Sequence, residues 1–299
     1  MPSYRSLISN LNFTNLVMHG KYTFVNFRNV FTQTSTFSNV TSSFFTLKNV
    51  STDEIRLANV SSSHMDLVYL SAVNMKLFNV SSTSMNFTNV SAVNMSLFNV
   101  SSSNMDLVNL SAVNMNLFNV SSRHMDLVNL SAVNMNLFNV SSRYLNLVNL
   151  SAVNTNLFNV SSRHMDLVNL SAVNMNLFNV SSRYMNLVNL SAINMNLFNV
   201  SSRHMDLVNL SAVNMNLFNF SSSFMDIAKL SAVNMTVSFP ASRHLSFKNV
   251  NITSLVILNM RRLSIISFIN STVNNLELEK NEIKPIISTD PSSRVNIGP

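Results

Sequence analysis

Apolar residues recur along most of this chain in a fixed frame of ten. SAVNMNLFNV occurs unchanged at 111–120, 131–140 and 171–180, and SSRHMDLVNL occurs at 121–130, 161–170 and 201–210. The two decapeptides alternate, so the repeat is 20 residues long and built from two related halves. With Ser121 as position 1, position 5 is usually Met, 7 is Leu, 9 is Asn, and 10 is Val or Leu. Positions 5 and 7 are apolar and two apart, and so are position 10 and the Ser or Ala at position 2. That alternation is the period of a β-strand, not of a helix. Position 8 (Phe or Val) also accepts Lys48, Thr88 and Lys248, and position 3 accepts Asp53 and five arginines, so both are read as outward. Inward pairs therefore come every five residues. The frame runs back through Ile55 and Leu57, and through Phe45 and Leu47, and after a slip near Gly20 to Leu11 and Phe13. It runs forward through Leu255 and Ile257 and, with one inserted residue, to Leu276 and Leu278.

Five-residue units with two inward residues around one polar residue resemble the pentapeptide-repeat family. The units read MNLFN, VSSRH, MDLVN and LSAVN, as in Met115–Asn119, Val120–His124, Met125–Asn129 and Leu130–Asn134. The resemblance implies an all-β fold, a right-handed parallel β-helix with four five-residue faces per coil. The chain departs from the family in placing Met where a small residue is expected, and Ser or Ala at the centre of alternate units. A 20-residue coil stacks like on like, whereas a 10-residue coil would mix Phe with Val and Arg with Val. The last residue of each five is Asn, His, Asn and Asn. Asn and His are enriched at positive φ, so both kinds of corner are expected to use it. At a strand spacing of ~4.8 Å, about 13 coils would make a rod of roughly 60 Å. The predicted organisation is an N-terminal cap or irregular segment over 1–20, a solenoid over 21–283 and a tail over 284–299, with Pro240, Pro285 and Pro291 near the C-terminal boundary. A leucine-rich repeat fits less well, because both halves carry the same pattern. An α-solenoid lacks the 3.6-residue period.

Composition removes whole classes of chemistry. There are no Cys and 2 Gly in 299 residues, so thiol nucleophiles, thiolate metal sites, phosphate loops and GxSxG elbows are excluded. No apolar run reaches the roughly 18 residues of a transmembrane helix. The net charge of +7 belongs to the flanks: residues 61–230 carry seven basic and six acidic side chains.

Four histidines share position 4, each two residues before an aspartate: His64/Asp66, His124/Asp126, His164/Asp166 and His204/Asp206. Tyr144 and Tyr184 replace His where Asn146 and Asn186 replace Asp. A metal site needs three or four ligands converging on one point. Histidines two coils apart, near 10 Å, do not converge, so they are read as a surface column. No catalytic, metal or cofactor residue is assigned, and a non-enzyme is expected.

The candidate interaction surface comprises two columns. One is aromatic: Phe118, Phe138, Phe158, Phe178 and Phe198, within a run from Phe78 to Phe218. A long exposed apolar stripe suggests a protein partner or self-association. Partial shielding by neighbours is the other reading of it. The second column is Arg123, Arg143, Arg163, Arg183 and Arg203, which would suit a polyanion. Near-neutrality of the central segment, with Asp126, Asp166 and Asp206 close by, makes nucleic acid the less favoured partner. Some pentapeptide-repeat proteins resemble DNA and protect gyrase, a role that needs an acidic rod and is not carried over. The Asn-x-Ser sequons, as at Asn119 and Asn129, are read as byproducts of the Asn corner. The functional expectation is a structural or protein-interaction rod, with binding of an anionic polymer or surface as the alternative.

Overall fold

The computed structural model describes residues 5–219, 221–238, 244–258, 265–279 and 286–298. The ordered elements are strands. The first are β1 (Arg5–Ala58), β2 (Ser61–Phe118), β3 (Ser121–Phe138) and β4 (Ser141–Phe158). Then come β5 (Ser161–Phe178), β6 (Ser181–Phe198), β7 (Ser201–Phe218) and β8 (Ser221–Ser238). Six short strands follow among the described residues: β9 (His244–Lys248), β10 (Asn251–Leu258), β11 (Ile265–Ile269), β12 (Thr272–Glu279), β13 (Ile286–Thr289) and β14 (Arg294–Ile297). Contacts divide the chain into two compact units, residues 1–146 and 147–299.

Each unit is a parallel β-solenoid with 20-residue turns, the right-handed β-helix class expected from the repeat. In the first, β1 pairs with β2 at Leu57↔Leu77, and β2 with β3 at Leu107↔Leu127. In the second, β5, β6, β7 and β8 follow the same register, as at Leu167↔Leu187, Leu187↔Leu207 and Leu207↔Ile227. Like therefore stacks on like. The one-residue insertion appears where the repeat placed it: β10 pairs with β12 at Leu255↔Leu276 and Ile257↔Leu278. Strand begins at Arg5, and β13 and β14 pair parallel with β11 and β12. Regular structure thus extends into the segments assigned as cap and tail. Pro240 and Pro285 lie outside the described residues.

Across the central turns the inward frame is the one that alternation gives, whereas Leu11, also read into that frame, is 44% exposed in the first turn. Met125 and Leu127 are fully buried, and so, within a few per cent, are Val120 and Leu130. Side chains of this size contribute about 1.5–3 kcal/mol each on burial. Small residues fill the rest of each coil. Ser122, also buried, donates its hydroxyl to the His124 carbonyl at 2.5 Å and lies 3.3 Å from the Ser103 carbonyl. A buried hydroxyl is tolerated when it is bonded in this way. In the N-terminal turns phenylalanines take over the core: Phe27, Phe37 and Phe45 meet edge to face at 5.4 and 5.2 Å.

The corners differ from expectation in one respect. Left-handed φ recurs at position 9, as at Asn119 (53°) and Asn189 (56°), with Tyr69 and Lys229 standing in for Asn. Among the described residues, the His and Asn of position 4 do not take it. Left-handed corners therefore fall every ten residues, not every five. At position 4 the backbone stays extended, and the side chain stacks or hydrogen-bonds to its copy a turn away. Gly20, at a φ of 122°, marks the slip in frame: Asn29 Nδ2 donates to Asn10 Oδ1 at 2.8 Å across 19 residues.

Candidate interaction surface

Outward residues form columns because every turn repeats the previous one in register. Position 8 carries the aromatic column. In the first unit Phe78, Phe98 and Phe118 stack face to face at 5.4 and 4.9 Å, and Phe138 tilts by 35° against Phe118 at 5.9 Å. In the second, Phe158, Phe178, Phe198 and Phe218 stack at 5.1, 4.9 and 5.0 Å, with planes within 4°. Each ring covers part of the next. Phe118 through Phe218 are half-buried, while Phe78 and Phe98 are 42% and 36% exposed. The column faces outward and is also shielded by itself, which joins the two readings that periodicity left open. Each stacked pair contributes about 0.5–1.5 kcal/mol beyond area burial.

Position 3 carries Arg123 and Arg143 in the first unit and Arg163, Arg183 and Arg203 in the second, all exposed. The guanidinium carbons of Arg143 and Arg183 each lie 5.7 Å from the ring centre of the following tyrosine. Position 4 is a second aromatic column. His124 stacks on Tyr144 at 4.9 Å in one unit, and His164, Tyr184 and His204 stack at 4.9 and 5.2 Å in the other. The alternation of His and Tyr is thus a contact between turns. Among the described residues no group of three or more His, Asp or Glu could hold a metal ion, and no helix is long and apolar enough to cross a membrane.

No family model matches the chain, and neither does any curated protein or solved structure. The surface must therefore be understood from its own chemistry.

Three features were not extracted from the sequence. The first is a set of amide ladders. At position 4 of the alternate half, Asn94, Asn114 and Asn134 each donate to the Asn one turn earlier at 2.9 Å. At position 6, Asn196 donates to Asn176 at 2.9 Å and Asn216 to Asn196 at 2.8 Å. Identical Asn spacing in each repeat was the available signal. The ladder at position 9 also engages the sequon residue Asn119, which donates to Asn99 and accepts from Asn139.

The second is a shallow groove along the Ser-Ala-Val segments. In the first unit it encloses about 830 Å³ between Ser91, Ala92, Val93 and their copies, with Phe31 and Asp53 toward the N-terminal side. A counterpart of about 440 Å³ follows the same columns in the second unit.

The third concerns carboxylates. Burial pushes Asp106 above the ordinary 3.8, the Asp126 carboxylate adds to this, and His124 opposes it. Asp206 is raised in the same way by burial and Asp226, against His204. Asp290 moves the other way, because the hydroxyls of Ser292 and Ser293 donate to its carboxylate.

Proposed function

We propose that this protein is a non-enzymatic solenoid with a structural or protein-interaction role, presenting its aromatic and arginine columns to a partner or to another copy of itself. The observation that carries the reading is the Phe158–Phe218 column, a half-exposed apolar stripe repeated once per turn at about 5 Å. A surface built from identical steps suits a partner that is itself extended or repetitive. Membership of the pentapeptide-repeat family is part of the proposal, supported by inward pairs every five residues. Among the described residues position 9 alone supplies the left-handed corners, a point on which the chain stands apart from a strict five-residue unit.

The alternative is binding of an anionic polymer or surface through the exposed Arg163, Arg183 and Arg203 column and the basic flanks. It is supported by the exposure of these side chains and by the +7 net charge.

Sedimentation over a concentration series, with wild type and a Phe178→Ser/Phe198→Ser variant, separates the two readings. The proposal expects self-association that persists at high salt and is weakened by the Phe substitutions. A species that stays monomeric, ignores the Phe changes and binds polyanion with steep salt dependence would replace it with the alternative.

A further inference from the structure

The amide ladders have a direction. In each step, Nδ2 of the later residue donates to Oδ1 of the residue one turn earlier, as from Asn216 to Asn196 and from Asn196 to Asn176. Every amide oxygen in such a column thus faces the next turn and waits for a donor. An amide supplies one; an ionised carboxylate has none.

The other position-6 column mixes the two side chains. Asn86 donates to Asp66 at 2.8 Å, Asn146 to Asp126 at 2.6 Å and Asn186 to Asp166 at 2.6 Å. These steps are satisfied, because the later residue is an amide. Asp106 and Asp206 have no such amide on the turn that follows them. Asp106 follows Asn86 by one turn and pairs in register with Asp126 on its far side. Asp206 pairs in register with Asn186 on one side and Asp226 on the other. Both therefore sit between an amide oxygen and a second carboxylate, and neither neighbour offers a proton.

We propose that this column is proton-responsive: on acidification Asp106 and Asp206 take up a proton and donate it along the ladder, converting a like-charge step into a hydrogen-bonded one. Asp106 is half-buried and Asp206 more exposed. The groups whose charge reaches Asp106 are Asp126 and His124, and those reaching Asp206 are Asp226 and His204. His124, whose Nδ1 lies 3.2 Å from Asn104 Oδ1, favours the ionised form of Asp106 when it is itself charged. Burial and the neighbouring carboxylate outweigh it, so both aspartates are raised from 3.8. The sign follows by linkage. A carboxyl with a raised folded-state pKa binds its proton more tightly when folded. Its contribution is full below the ordinary aspartate range and is lost as pH rises through the raised value.

Asn already occupies this column at 86, 146 and 186, so Asp106→Asn and Asp206→Asn preserve the fold's own chemistry. Carboxyl ¹³C titration of the full chain, with the Asp106→Asn difference spectrum as assignment, should place Asp106 above an ordinary aspartate. Asp126→Asn, which supplies a donor from the next turn, should lower that midpoint. In thermal melts from about pH 7 down to about pH 3, the wild type should gain Tm relative to the double Asp106→Asn/Asp206→Asn variant. An Asp106 midpoint at or below the ordinary value, or a double variant with the wild-type pH slope, overturns the proposal.

Discussion

Asn119 donates its amide to Asn99 Oδ1 at 3.0 Å, one turn earlier, and the two residues share a left-handed backbone at φ of 53° and 54°. One residue type thus performs two tasks at this corner. It tolerates the turn, and it ties that turn to its neighbour. Glycine could do the first but not the second, which accounts for a turn-rich fold with 2 glycines.

The double role fixes an order among substitutions. Asn119→Ala loses the ladder and places a Cβ-bearing residue without local hydrogen bonding at positive φ, and should cost about 2 kcal/mol. Asn119→Gly keeps the backbone at ease and should cost about half as much. Equilibrium urea unfolding measures both. Alanine equal to or better than glycine would show that backbone strain does not matter at this corner.

Thr155 stands in a core column that is methionine in the turns directly after it. It is fully buried, its Oγ1 has no hydrogen-bond partner, and its copies Met175, Met195 and Met215 are all buried. Thr155→Met restores the column and removes an unsatisfied hydroxyl. A gain of about 1–3 kcal/mol is expected, read as a higher midpoint in urea. Loss of stability would mean that the neighbours have already closed around the smaller side chain.

The inward frame was legible because Met125, Leu127, Leu130 and Ala132 obey strand alternation at every turn. The 20-residue coil was legible for a different reason: Phe178 over Phe198 is a good contact, and Phe over Val is a poorer one. The corners were only half legible. Asn134 and Asn129 look alike in sequence, yet one extends and bonds to Asn114 while the other turns left-handed. A residue suited to two roles does not announce which it will take. The half-cover of the Phe column escaped periodicity, because it depends on ring against ring between turns. The direction of the amide ladder, and with it the exceptional status of Asp106 and Asp206 among the aspartates, exists only once coil is stacked on coil.

The central claim is that one turn takes 20 residues, and cysteine pairs test it most directly because the chain has no Cys of its own. Ser181 and Ser201 are exposed and pair in register on adjacent strands. Strands are ~4.8 Å apart, within the Cα separation that a disulfide spans. Ser181 and Ser191 lie half a turn apart. Under mild oxidation the Ser181→Cys/Ser201→Cys variant should form an intrachain disulfide in the folded protein, and Ser181→Cys/Ser191→Cys should not. Cross-linking of the ten-residue pair but not the 20-residue pair would contradict the fold described.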